Sequence, residues 1–587
     1  MAAPREPAQK GERWRLWATG AILFSFCFLA LSAVGELGVF PHRYAPLATD
    51  FDTGFMVLAE DDHTPLAITW GESSDEMVGS APITIQNLTF FSERFDNVDV
   101  RISAAIVRPR TAGPPAPALV VVHGYGGSRR DMMPVARALA SSGYVAIAID
   151  APDSGQSTPY PRRTPENLVN VTPDPRGGFF FHVAYAASRA LSVLETLPYV
   201  NDNALGVLGA SQGGIVTLYL AAKDPRVRAA VPIIPGGNLE EAFYAPSFVH
   251  LLVPRDVTPT DPRAVAFRRY YDPLGYAPLI RAPTLFMAGT NDEFFPLWGV
   301  VATYDAIPAQ AREAKWLSLV PNLGHGAYDG WTATVERFLA SVFRAGPALP
   351  SPAIRSVSSD RGGVHVTATA PPGSQVVLVF RESTAGDRWR WVPMAASGTD
   401  YTGTANPTWP GQASLYVAVM DGTVFVTATP VVAVEVTGYT GPVLLVFTAL
   451  LAAYLLGTMG IRYRDRLIPL AAALLSTAGS SIAWVGMYGR ASWGWYEIAD
   501  RTNLGSVLFA AFLLFYAGLI TAALLRPRKM LLLSWIPVVF SLTVYATLAA
   551  LFGSVAPVGP SWGFVAILAS PLLVLVERRW KKEPRLF

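Results

Sequence analysis

The residues of this chain best suited to chemistry are Ser211, His325 and Asp292, with two glycine-rich turns close to the first in the expected fold. Ser211 lies in Gly209-Ala-Ser-Gln-Gly213, a G-x-S-x-G pentapeptide between the apolar run Ala204–Leu208 and the helical pattern Gly214–Lys223. That strand–turn–helix context needs glycines, so that the backbone turns sharply and leaves the serine oxygen exposed near a helix N-terminus. A serine hydroxyl is a poor nucleophile at neutral pH. It requires a base, a group to orient the base, and donors for an oxyanion.

Seven histidines compete for the role of base. His42 and His63 precede the expected sheet, His365 lies beyond it, His123 belongs to a glycine turn, and His182 falls before the serine. That leaves His250, inside an aromatic-rich insert, and His325, in Asn322-Leu-Gly-His-Gly-Ala327. The latter loop separates a strand pattern at Ala314–Leu319 from the helical pattern Thr332–Phe343, and the end of a strand is where a base can reach the serine. His325 is therefore the expected base. For the orienting acid, Asp292 stands in Ala288-Gly-Thr-Asn-Asp-Glu-Phe-Phe-Pro296, directly after the strand pattern Thr284–Met287; Glu293 is its rival and Asp153 a more distant one. Val122-His-Gly-Tyr-Gly-Gly-Ser128 follows the strand pattern Leu119–Val122 and can turn backbone amides toward the serine. Tyr125 and Gln212 N–H are the expected oxyanion donors, and His123, Gly124, Phe243, Tyr244 and Phe294 the expected pocket lining. The turn lacks the Lys-Ser/Thr pair of a phosphate-cradling loop.

These motifs, with Asp150-Ala-Pro-Asp-Ser-Gly155, occur in the order and spacing of the α/β-hydrolase superfamily. The segment, about residues 80–345, most resembles the dienelactone hydrolase and prolyl-oligopeptidase-like branches. The resemblance implies Ser211 as nucleophile, His325 as base, Asp292 as orienter, and the amides of Tyr125 and Gln212 as oxyanion hole. It departs from both branches. Dienelactone hydrolases use a cysteine where Ser211 stands, and residues 41–110 are too few for the β-propeller of a prolyl oligopeptidase.

The elements that must position these residues follow from pattern. From Ala118 to Val342 apolar strands alternate with helices, which argues for a parallel α/β sheet, and Ile83–Val107 reads as a hairpin turning near Asp96-Asn97. An insert at about 236–281 carries Phe243, Tyr244, Phe248, Tyr270, Tyr271 and Tyr276, the composition of a lid or of ordinary core. After the Pro-rich run Ala345–Pro352, residues 346–437 change to short alternating strands, expected to form an immunoglobulin- or fibronectin-like β-sandwich serving as spacer or packing module.

Of 587 residues, 51% are hydrophobic and 15% charged, with the apolar surplus at the two ends. Residues 1–40 read as a cytoplasmic tail and a signal anchor, or a signal peptide cleaved near Ala33-Val-Gly35, and 438–587 as five transmembrane helices with a basic cytoplasmic tail. The expected spans are 16–40, 441–460, 467–488, 504–525, 531–553 and 561–577, and the basic clusters put both termini in the cytoplasm. A net charge of +2 argues against nucleic acid, and the lone Cys27 excludes an intrachain disulfide or a cysteine metal cluster. No cofactor or metal is expected.

The sequence thus predicts an α/β fold with a C-terminal β-sandwich and a transmembrane region. Its expected function is a multi-pass, membrane-embedded, extracytoplasmic serine hydrolase. It would cleave an ester or thioester in contact with membrane lipids, the substrate being a small ester, a lipid-like molecule or a peptide. The alternatives are a serine peptidase acting on exported peptides and a non-catalytic scaffold or receptor on a hydrolase fold.

Overall fold

A computed structural model of the chain describes residues 47–436, apart from gaps at 112, 246, 309–314, 329, 361, 383–388 and 408–410, and short pieces after 436. Nine strands organise the first part: β1 (Thr69–Val78), β2 (Ala81–Phe95), β3 (Val98–Pro109), β4 (Ala116–Val122), β5 (Val145–Ile149), β6 (Val200–Ala210), β7 (Val227–Ile233), β8 (Thr284–Gly289) and β9 (Lys315–Val320). They lie side by side in the order β1-β2-β3-β5-β4-β6-β7-β8-β9. The first three are antiparallel, β3 joins β5 antiparallel, and β5 to β9 run parallel.

Parallel strands need both faces covered, and the side chains alternate to match. Val120, Val122, Ile147, Ile149 and Val207 point into one core, and Leu119, Val121, Ala146, Ala148 and Leu208 into the other. The first core is closed by α2 (Phe179–Glu195), α3 (Gln212–Lys223) and α4 (Leu297–Ala306). The second is closed by α1 (Arg129–Ser141) and α5 (Trp331–Phe343). The β2–β3 hairpin turns on Asp96 and Asn97, with φ of +47° and +62°, the left-handed pair that a two-residue hairpin favours.

The insert at 236–281 forms short helices at Leu239–Tyr244, Pro262–Tyr271 and Pro273–Tyr276. Phe243, Tyr271 and Tyr276 are fully buried, and the Tyr219 hydroxyl of α3 donates to the Tyr271 carbonyl. Half of the six aromatic residues named for it are therefore core.

Beyond Leu349, β11 (Gly363–Thr369) pairs with both β10 (Ala353–Asp360) and β15 (Asp400–Ala405), and β14 (Ala395–Ser397) completes that sheet on β15. Facing it, β12 (Gln375–Glu382) lies between β13 (Arg390–Pro393) and β16 (Gly411–Asp421), and β16 also carries β17 (Val424–Ala428) and β18 (Val432–Val436). Val366, Leu378, Tyr401, Leu415 and Val417 share a core between the two sheets. The second of these sheets is not separate from the hydrolase sheet. β17 pairs antiparallel with β9 at Ala428 and Leu317, so one sheet of fourteen strands runs through both parts.

The expectation of a transmembrane region is corrected here. Among the described residues no helix is long and apolar enough to cross a membrane. The seventeen residues of α2 rise about 25 Å at 1.5 Å each, short of the ~20 apolar residues a bilayer demands, and α2 also carries Arg189 and Glu195. Apart from short pieces, the segments read as spans lie outside the described residues. The six-span arrangement, with cytoplasmic termini and extracytoplasmic domains, is not supported.

Candidate active site

Ser211 stands between the end of β6 and the start of α3, with φ +56° and ψ −115°, a conformation in which a non-glycine residue is strained. The turn is held by the Ser211 N–H donating to Ile233 O at 2.9 Å and by the Ile215 N–H donating to Ser211 O at 2.9 Å. Two glycines make it sterically feasible. A Cβ on Gly209 would overlap the backbone of Gly213, and a Cβ on Gly213 would overlap the Val122 carbonyl at the end of β4. The sequence motif is thus a packing requirement where two strands and a helix converge.

His325 follows β9 in its loop, and its Nε2 accepts from the Ser211 hydroxyl at 2.8 Å. Its Nδ1 lies 2.8 Å from Asp292 Oδ2. A carboxylate can only accept, so the proton is on Nδ1 and Nε2 is free to act as base. Asp292 is itself fixed: its Oδ1 accepts from the amides of Phe294 and Phe295 at 2.8 and 2.9 Å. The Asp292 side chain is 2% exposed and that of His325 13%, so the pair is shielded while the imidazole edge stays reachable. The rival Glu293 accepts the His325 main-chain N–H at 2.6 Å. Asp153 is further removed, accepting from the Arg163 amide at 2.8 Å.

Four other described histidines are engaged elsewhere, and His63 is exposed. His250 is buried in the insert with Nε2 against the Ala245 carbonyl, and burial pulls its pKa down to about 4. His182 pairs with Glu93 at 2.8 Å, and His365 bridges Thr404 and Asp360 in the β domain. His123 is fully buried; its Nδ1 donates to Gly124 O at 2.7 Å and its Nε2 accepts from the Ala151 N–H at 3.0 Å. Burial holds its pKa below the usual imidazole value. His123 therefore braces the β4 turn against the end of β5.

Of the remaining expected residues, Gly124 lies against the serine, where a Cβ would sit 3.4 Å from Ser211 Cβ. Gln212 is buried at the N-terminus of α3, where helix amides carry partial positive charge. Tyr125 is half-buried against Phe179 and the Arg163 guanidinium, 5.4 Å above its ring. Phe294 packs on the His325 ring with centroids 4.6 Å apart. Phe243 is fully buried in the core, edge-on to His250, and Tyr244 is half-buried beside it.

Phe248 and Asn322 make contacts at the site that the sequence did not assign to them. The Phe248 N–H donates to Glu293 O at 2.8 Å and its ring meets Phe294 edge-on, so this part of the insert does reach the site. Asn322 anchors the histidine loop to the β domain through Trp389. An Asn three residues before a histidine carries no pattern that would have marked it. Chemically, the hydrogen-bonded chain from Asp292 through His325 to Ser211 can take a proton from the hydroxyl and deliver it to a leaving group.

Two family models match the chain: acetyl xylan esterase (AXE1) over residues 76–241 and the prolyl oligopeptidase family over 187–345. Among curated relatives, the acetyl esterase Axe7A of Xylanibacter ruminicola is 31% identical over 134 residues, which is 22% of this chain and 30% of that protein. The quorum-quenching protein AidA of Acinetobacter baumannii is 30% identical over 27% of this chain and 45% of its own length. An Escherichia coli protein named as a carboxymethylenebutenolidase is 25% identical over 50% of this chain and 97% of its own. The chain thus spans less than half the length of the first two. Among solved structures, an acetyl xylan esterase from Paenibacillus sp. R4 is similar at 21% identity and a TM-score of 0.44, covering 51% of this chain and 98% of that one.

The strand order and the two family models point to an α/β-hydrolase-like domain. Over these residues the chain is similar to serine hydrolases, and to esterases most of all.

Proposed function

We propose that the chain hydrolyses carboxylic esters through an acyl-enzyme on Ser211, with acetyl esters as the first substrate class. The observation that carries this reading is the chain of hydrogen bonds from Asp292 through His325 to Ser211, both links at 2.8 Å. In the first half-reaction His325 Nε2 takes the Ser211 proton as Oγ attacks the ester carbonyl. The tetrahedral oxyanion forms against the amides of Tyr125 and Gln212. Its collapse breaks the bond to the alkoxy group, which leaves as the alcohol with the proton from His325. In the second half-reaction water gives its proton to Nε2 and its oxygen to the acyl carbon, releasing the acid and restoring Ser211. Asp292 fixes the tautomer and steadies the imidazolium. The acetyl class is supported by the matched acetyl xylan esterase model and the Xylanibacter acetyl esterase.

The test is hydrolysis of p-nitrophenyl acetate by the full chain and by Ser211→Ala. Turnover should fall by at least about 10³-fold in the variant with its melting midpoint retained. Turnover at the wild-type rate would remove Ser211 from its role. A peptidase reading is favoured by one finding: the prolyl oligopeptidase model matches the segment holding Ser211, Asp292 and His325. Cleavage of a peptide anilide at a kcat/KM above that of the acetyl ester would decide for it.

A further inference from the structure

We propose that the β domain positions the general base: a two-way clamp between the Asn322 side chain and the Trp389 backbone holds the His325 loop in its productive place. The inference rests on the esterase reading above and assigns a role to a region outside the hydrolase motifs.

The loop that follows β9 is tied on its inner side to the loop that follows β8. The Asn291 N–H donates to Leu323 O at 2.9 Å, the Asn322 N–H donates to Thr290 Oγ1 at 2.8 Å, and the His325 N–H donates to Glu293. Those bonds join one loop to another, with no helix or strand between them. The outer side meets the β domain. Asn322 Nδ2 donates to Trp389 O at 2.8 Å, and the Trp389 N–H donates to Asn322 Oδ1 at 2.7 Å. A side-chain amide that completes both hydrogen bonds of one peptide group fixes orientation as well as distance.

The anchor does not move easily. Trp389 is 1% exposed, its ring lies 5.4 Å from that of Tyr416, and the Arg381 guanidinium sits 5.1 Å above it. The same face of the domain holds the middle of β9 and the Tyr328 hydroxyl beyond it. The Tyr416 hydroxyl donates to Leu319 O at 3.3 Å, the hydroxyls of Ser318 and Tyr328 both lie 3.2 Å from Phe425 O, and β17 covers what would otherwise be the edge of the sheet. Asn322 has φ +61°, a left-handed conformation that asparagine tolerates better than most residues. The loop is thereby bent to present the amide outward and, three residues on, the imidazole inward. A displacement of about 1 Å in such a group costs up to 10²-fold in rate.

The experiment uses the full chain carrying Asn322→Gly, which keeps the left-handed backbone and removes both clamp bonds, and Asn322→Asp, which keeps the acceptor for the Trp389 N–H. Steady-state hydrolysis of p-nitrophenyl acetate is measured beside the rate of Ser211 labelling by a fluorophosphonate. For Asn322→Gly, kcat and the labelling rate should both fall about 10- to 100-fold with KM within about twofold, and Asn322→Asp should recover part of the loss. Wild-type kcat and labelling in Asn322→Gly would overturn the inference, as would a rise in KM at unchanged kcat. If Asn322→Gly does not fold, wild-type rates in a folded Asn322→Ala, which also lacks both clamp bonds, overturn it equally. Wild-type protein inert to both ester and probe would sink the esterase reading itself, a result distinct from equal rates in protein and variant.

Discussion

Asp292 and Glu293 are neighbours of the same charge in the loop after β8, and the structure gives them different work. Asp292 Oδ2 meets the Nδ1 of His325, whereas Glu293 takes only the main-chain N–H of the same residue. Replacing Asp292 by Asn keeps size and shape, but an amide can turn its NH₂ toward Nδ1 and trap the wrong tautomer. Asp292→Asn should lower kcat for an acetyl ester by about 10⁴-fold. Glu293→Gln still offers an oxygen to the His325 amide and should keep kcat within about fivefold. Comparable losses in the two variants would show that Asp292 is not the orienting group. The sequence pattern singles out Ser211, His325 and Asp292 because each lies in a loop after an apolar strand, with glycines beside Ser211 and His325 and just before Asp292's loop. Asn322 could not. Its partner lies 67 residues further on and is a peptide group, so no side-chain pattern records the contact.

At the scale of elements, the turn between β6 and α3 depends on close approach of backbone to backbone. Gly213 faces the Val122 carbonyl, with no flexible side chain that could yield to an added methyl. Gly213→Ala should cost about 3 kcal/mol of stability, at the upper end of overpacking, and should shift Ser211 enough to depress activity. Gly177 is the control: a Cβ there meets nothing within 4 Å, so Gly177→Ala should stay within about 0.5 kcal/mol. Urea denaturation of the two variants checks the contrast, and equal midpoints would refute the steric account. The buried strands can be found in the sequence because both their faces are apolar; the strand pattern Thr284–Met287 falls within β8, Thr284–Gly289. β1 was not expected. Its sequence Thr-Trp-Gly-Glu-Ser-Ser-Asp-Glu-Met-Val is largely exposed, so burial leaves almost no periodic mark on this edge strand.

At the scale of the molecule, the Pro-rich run after α5 precedes the β domain and lies packed against the hydrolase part. Leu349 is buried, its carbonyl accepts from the Trp316 indole at 3.1 Å, and the Arg344 guanidinium donates to Ser142 O and Gly143 O beside α1. Proline content marks stiff chain, and a stiff segment can lie packed as well as span open solvent. Trp389, Tyr416, Phe425 and Ala428 of the β domain belong to the same core as α2 and α3. Two bodies that share a sheet and a core should unfold as one. Trp389→Ala removes a large side chain from that shared core and should cost about 3–5 kcal/mol. If the two parts are one cooperative unit, the variant loses esterase activity and ellipticity together, in a single transition displaced to lower temperature. Activity that survives an early, separate loss of β structure would mean that the hydrolase part stands alone and that the shared core contributes nothing to it.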